Sequence, residues 1–165
     1  AVSQLAKRAG VKLEDVSFMS IWGNHSATLF PDFFHVKING RPVVEVIYDE
    51  KWLNEEFISI VQKRGAEIIK ARGVSSAASA AQAIIDSVKA LEVPTKKDDC
   101  FSMAVVSDGS YGVPAGLVFS FPIISDGKEY KIIQNINHSE FAKTRIEMTL
   151  QELIKEEEQV KGMIK

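Results

Sequence analysis

Apolar positions change their period several times along the chain. Val16-Ser17-Phe18-Met19-Ser20-Ile21-Trp22 is short, apolar and partly alternating, which predicts one strand ending at Gly23. Asn39-Gly40 stands between Phe33–Ile38 and Arg41–Ile47, and Asn-Gly supplies the positive φ of a tight turn, so a β-hairpin is predicted. Asp126-Gly127 predicts a second hairpin between Leu117–Ile124 and Glu129–Ile133, and Phe101–Val106 predicts a further strand. Leu53, Phe57, Ile60, Val61 and Ile68 then recur at helical spacing, with Asp49 or Asn54 to cap the start and Gly73 to break the run.

Beyond Gly73 come seven small uncharged residues, Ser75-Ser76-Ala77-Ala78-Ser79-Ala80-Ala81. A helical stripe of Ile84, Val88 and Leu91 carries on to Pro94, and Lys96–Asp99 is polar linker. A last helix starts near Asn137–Glu140 on the stripe Ile146, Leu150, Leu153 and Ile154, with Glu156-Glu157-Glu158 as solvated surface. Ala1–Arg8 resembles a helix interior, with Gly10 just past its end as a stop. The chain has no initiator Met and is expected to be a fragment or processed product. Two hairpins with long helices predict an α+β domain, an antiparallel or mixed sheet packed against helices, rather than βαβ units.

Composition narrows the class. A chain of 165 residues suits one domain with its own core. Its 20 Lys+Arg against 22 Asp+Glu give a net charge of −2, which argues against a nucleic-acid footprint. No apolar run spans a membrane and no signal peptide is visible. Cys100 is alone, so no internal disulfide forms and a reducing compartment is expected. Neither a G-x-G-x-x-G nor a P-loop occurs, so this chain is not expected to cradle nucleotide phosphates. His25, His35 and His138 are scattered, and no metal site is predicted.

One segment stands out for chemistry. Trp22-Gly23-Asn24-His25-Ser26 places an imidazole just past a strand, where loops present functional side chains. Residues alone leave two roles for His25: a structural loop contact, or a group that takes and returns a proton near neutral pH. The Ser75–Ala81 run likewise reads either as a close-packed helix face or as a surface approached by a ligand. His35 and His138 are assigned to structure, because nothing local distinguishes them.

Ile21-Trp22-Gly23-Asn24-His25-Ser26 followed by Pro31-Asp32, Val61-Gln62-Lys63-Arg64-Gly65-Ala66 with Ile69-Lys70-Ala71-Arg72, Ser75–Ala81, and Val106-Ser107-Asp108-Gly109 followed by Ser110-Tyr111-Gly112-Val113-Pro114 occur in one order over nearly the whole chain. Together they resemble the C-terminal catalytic domain of the malate dehydrogenases, cytosolic type, in the lactate/malate dehydrogenase superfamily. The resemblance implies a substrate domain over residues 1–165, with a Rossmann NAD-binding domain outside it. It also implies interconversion of (S)-malate and oxaloacetate with NAD/NADH, a dicarboxylate substrate, a homodimer and a cytoplasmic location. His25 matches the family's proton-exchanging histidine, and Ser75 a residue near substrate and nicotinamide. The family's aspartate and clamping arginines have no match; Arg41, Arg64, Arg72 and Arg145 stand elsewhere. The chain alone is therefore expected to be inactive and to bind NAD weakly or not at all. Two alternatives stay open: a lactate-type 2-hydroxy acid dehydrogenase domain, and a non-catalytic folding or assembly module.

Overall fold

A computed structural model describes residues 1–163. The long hairpin in its middle sets the frame. Strands β6 (Phe101–Val106) and β7 (Val118–Ser125) pair antiparallel, and β8 (Tyr130–Ile132) extends them beyond β7. β7 buries Phe119, Phe121 and Ile123 on alternate positions, the period a one-sided strand demands. Ser125 faces Tyr130 across the Asp126-Gly127 turn, as the sequence predicts.

The Val16–Trp22 segment departs from the single predicted strand. It forms β1 (Val16–Ser17) and β2 (Ser20–Trp22) in separate sheets, because Phe18 turns left-handed at φ 57°. Asp99 holds that turn: its Oδ1 accepts the amides of Phe18 (2.7 Å) and Cys100 (2.9 Å). The Lys96–Asp99 stretch thus ends in a structural clamp as well as serving as a connector. β1 pairs with β4 (Lys37–Ile38), and β4 with β5 (Arg41–Pro42) across Asn39-Gly40. Both turn residues have positive φ, 50° and 77°, as a two-residue hairpin requires. The hairpin is real but short, since Val43–Glu45 already turns helical.

β2 pairs with β3 (Phe30–Asp32) and is also sewn to the long hairpin. Ile21 N–H donates to Ser102 Oγ (2.7 Å), and Ser120 Oγ donates to Ile21 O (2.7 Å). Gly23 and Ser120 exchange both backbone bonds at 3.1 Å. The serine hydroxyls replace ladder bonds that β2 does not make directly. Every described pairing is antiparallel.

Helix α1 (Val2–Ala9) ends at Gly10, and α2 (Ile58–Arg72) follows a π-helical turn over Trp52–Phe57. Of the two candidate caps Asp49 is the one used, its Oδ1 accepting the Trp52 amide at 2.9 Å. α4 (Glu140–Val160) starts on Ser139, whose Oγ accepts the Ala142 amide. It buries Ala142, Ile146, Thr149 and Leu150 and packs on β3. The core also holds Trp22, Phe30, Phe33, Leu53 and Phe57, each contributing roughly 1.5–3 kcal/mol on burial. α3 (Ala77–Glu92) differs from its expected role. It buries no residue, and Ile84 and Val88 of the predicted stripe are 66% and 54% exposed. Only its end is tied down, where Ser125 Oγ donates to Leu91 O.

One position in this frame has no latitude. Gly23 has φ 95°, and a Cβ there would stand 2.1 Å from Thr149 Cγ2 on α4. Gly23→Ala is expected to lower stability by about 3 kcal/mol or more, through overpacking and a left-handed side chain. Urea unfolding checks this; an unchanged midpoint would contradict the contact.

Candidate functional site

The segment after β2 is fastened along one side and open along the other. Residues 24, 26 and 28 turn toward α4 and are partly buried, whereas His25 and Ala27 are exposed. The segment bends at residues 25 and 26 and turns over 27 and 28, where the Leu29 amide donates to Ser26 O at 3.4 Å. Asn24 N–H donates to Thr149 Oγ1 (2.9 Å), and Asn24 Nδ2 donates to Glu152 Oε2 (3.2 Å) and Glu156 Oε1 (3.0 Å). Ser26 Oγ donates to Glu152 Oε2, and Thr28 Oγ1 reaches the same oxygen at 2.5 Å. Thr28 also meets Thr149 Oγ1 at 2.9 Å. Leu29 O, at the far end, accepts from Gln62 Nε2 of α2 (2.9 Å).

The Ser26 and Thr28 bonds, with that of Asn24, hold the Glu152 carboxyl below the ordinary glutamate range. Glu156, assigned from sequence to solvated surface, is recruited by Asn24. Neither glutamate nor Thr149 stands out in the sequence. The discernible signal is their four- and three-residue spacing, which puts them on one helix face.

His25 is exposed and makes no hydrogen bond among the described residues. Ser75 lies exposed in the turn before α3, its carbonyl accepting the Ala77 amide at 3.2 Å. No side chain caps the first turn of α3. His25 and Ser75 belong to different elements and share no hydrogen bond. Arg41 bonds Glu45, and Arg145 lies over the Phe141 ring.

A second polar group gathers residues that the sequence leaves unconnected. Asp32 ends β3 fully buried. Its Oδ1 accepts the Phe34 amide (3.0 Å), and its Oδ2 lies 2.9 Å from His35 Nδ1. His35 Nε2 faces Asn137 O at 3.2 Å. Both ring nitrogens therefore face acceptors, and only the doubly protonated ring satisfies both. The bond to Asp32 raises the His35 pKa above its ordinary value. His138 stands 5.9 Å from His35, with Nε2 buried, unpaired and 3.7 Å from Asp32 Oδ2. Burial against Trp22 and Tyr111, more than any charge, lowers its pKa. Burial, then Asp99 and Asp32, pushes the Cys100 thiol up to about 12, so it is no nucleophile at neutral pH. Among the described residues no group of three or more His, Cys, Asp or Glu is arranged to hold a metal ion. No described helix is long and apolar enough to cross a membrane.

Residues 1–164 match the family described as lactate/malate dehydrogenase, alpha/beta C-terminal domain. The malate dehydrogenase of Naegleria fowleri ATCC 30863 is 41% identical, with a TM-score of 0.90 over 99% of this chain and 50% of that one. The lactate dehydrogenase of Trichomonas vaginalis, solved with NADH and oxamate, is 27% identical, with a TM-score of 0.89 over 98% and 50%. The malate dehydrogenase of Plasmodium falciparum, solved with NADH, is 22% identical and shares the fold at a TM-score of 0.83, over 99% and 54%. The chain thus spans about half the length of the solved structures it matches.

The histidine pair predicts a pH dependence whose sign follows from the shifts. His35, raised in the fold, contributes stability that is full below its unfolded value of 6.5 and fades as pH climbs through the folded value. His138, lowered in the fold, opposes folding at acid pH, and that penalty is gone above 6.5. The loss of stability caused by His35→Ala should therefore be larger near about pH 5.5 than near about pH 8.5. Unfolding titrations at the two pH values test it, and an equal or reversed difference would contradict the assignment.

Proposed function

The chain belongs to the lactate/malate dehydrogenase C-terminal domain family, and on that premise we propose that it is the substrate half of an NAD-dependent malate dehydrogenase. The reaction is the interconversion of (S)-malate and oxaloacetate. The observation that carries the proposal is an exposed, unpaired imidazole, His25, on a loop fixed by hydrogen bonds on both sides of it. Greater identity to the Naegleria malate dehydrogenase than to the Trichomonas lactate dehydrogenase supports a dicarboxylate substrate.

Oxidising malate removes a proton from its hydroxyl and a hydride from the carbon that bears it. This chain's part is the proton. A ring nitrogen of His25 takes it as the carbonyl forms, and in reverse His25 returns it to the carbonyl oxygen. The fixed loop keeps the imidazole where the hydroxyl must approach, so less orientation entropy is lost at the transition state. Ser75 is assigned to the substrate side; its exposure and the uncapped first turn of α3 support that.

The residues described here do not fit a dinucleotide's pyrophosphate. Asp49 occupies the N-terminus that leads into α2 and would repel phosphate there, Ser139 Oγ already fills that of α4, and the uncapped α3 follows no glycine-rich phosphate loop. The hydride chemistry that NAD supplies is therefore assigned to a cofactor-binding domain outside this chain. The roughly doubled length of the solved relatives supports this. The domain alone is proposed to be inactive. The uncovered Ile84, Ile85 and Val88 on α3 support a further protein surface against it, the cofactor domain or the second subunit of a homodimer. A single cysteine fits a cytoplasmic setting.

A lactate-type dehydrogenase is the second reading, favoured by the Trichomonas match. The test uses the full-length protein that carries this domain. Oxaloacetate should drive NADH oxidation well above pyruvate. His25→Ala should lower kcat about a hundred- to ten-thousand-fold while the unfolding midpoint stays put. Pyruvate preference would establish the lactate reading, and near-normal turnover of the variant would remove His25 from the mechanism.

A further inference from the structure

The imidazole of His25 touches no hydrogen-bonding partner, so its direction is set entirely by the backbone on either side. Three side chains of that segment converge on one atom. Glu152 Oε2 accepts from Asn24 Nδ2, Ser26 Oγ and Thr28 Oγ1, the three alternate residues that bracket His25. We propose that Glu152, acting from the middle of α4, is a positioning residue for the His25 imidazole; this rests on the reading that His25 exchanges the substrate proton.

Ser26 donates its hydroxyl proton to Glu152 Oε2. Thr28 Oγ1 stands within donating distance of both Glu152 Oε2 and Thr149 Oγ1, and Thr149 Oγ1 also accepts the Asn24 amide. The Glu152 carboxylate is thus the charged acceptor on which the side chains of residues 24, 26 and 28 converge. Hydrogen bonds to an ionised acceptor are about twice as strong as neutral ones. Those same bonds hold the carboxyl ionised to lower pH than an ordinary glutamate. Thr149 closes the other side, because its side chain fills the space that a Cβ on Gly23 would need. Residues 24, 26 and 28 therefore have one seat on α4, and residue 25 is left pointing away from it. Removing the carboxylate leaves Ser26 and Thr28 without their charged acceptor and loosens the turn that carries His25, while Asn24 keeps its bonds to Glu156 and Thr149 and the buried anchors of α4, Ala142, Ile146 and Leu150, remain.

The experiment is a double-mutant cycle in the full-length protein. Glu152→Ala should lower kcat for oxaloacetate reduction about ten- to a hundred-fold, the range expected when a reacting group loses its alignment. Glu152→Gln keeps an acceptor oxygen and the side-chain volume, and should recover most of that loss. In a His25→Ala background, Glu152→Ala should cost the residual turnover almost nothing, since the group it positions is gone. An equal loss in both backgrounds would show a general structural role and overturn the proposal. So would full activity of Glu152→Ala beside an impaired His25→Ala. Should Glu152→Ala not fold, Ser26→Ala and Thr28→Val carry the same cycle, each removing one bond to the carboxylate. Near-normal turnover of His25→Ala itself is the separate result that would defeat the underlying reading of His25 and leave the clamp as architecture.

Discussion

No side chain fits between Gly23 and Thr149, and much of the site follows from that close approach. Bringing backbone against a helix face lets Thr149 accept the next amide and brings Glu152 within reach of Asn24, Ser26 and Thr28. The same glycine exchanges backbone bonds with Ser120, so the loop root belongs to the long hairpin as well. Gly23 comes from far earlier in the chain than either α4 or β7, and it touches both. A loop with only local bonds would sample many directions; this one is fixed from both flanks while its central side chain stays free.

Burial is distributed unevenly. Trp22, Phe30, Phe33, Leu53, Phe57, Phe119 and Phe121 build a closed core around the strands and the root of α2. α3, by contrast, carries apolar residues that stay exposed among the described residues. In the proposed function, that face meets further protein. In the proposed enzyme the chain's strands and α4 hold the proton carrier, and the cofactor's phosphates find their seat elsewhere.

Much of this was legible from local chemistry. Asn39-Gly40 and Asp126-Gly127 announced their hairpins, and Phe101–Val106 its strand, because turn geometry and alternation are local properties. His25 was legible as a candidate from its place after a strand. What stayed hidden depends on contacts distant in sequence. The break at Phe18 needs Asp99, whose carboxylate arrives from far along the chain. The Asp32–His35–His138 group needs the turn before α4 to bring His138 and the Asn137 carbonyl to β3. Glu156 was assigned to solvated surface and Glu152 was not singled out, because their partners lie in the His25 loop. The helical period of α3 was read correctly, yet period alone does not say whether a stripe meets a core.

Amide hydrogen exchange in the full-length protein tests the clamp most directly. The Gly23 and Asn24 amides donate to Ser120 O and Thr149 Oγ1. They should exchange as slowly as the β7 amides that pair with β6, although they flank an exposed residue. Exchange at the rate of an unstructured loop at those two positions would contradict the account, since a loop that opens freely holds no imidazole in place.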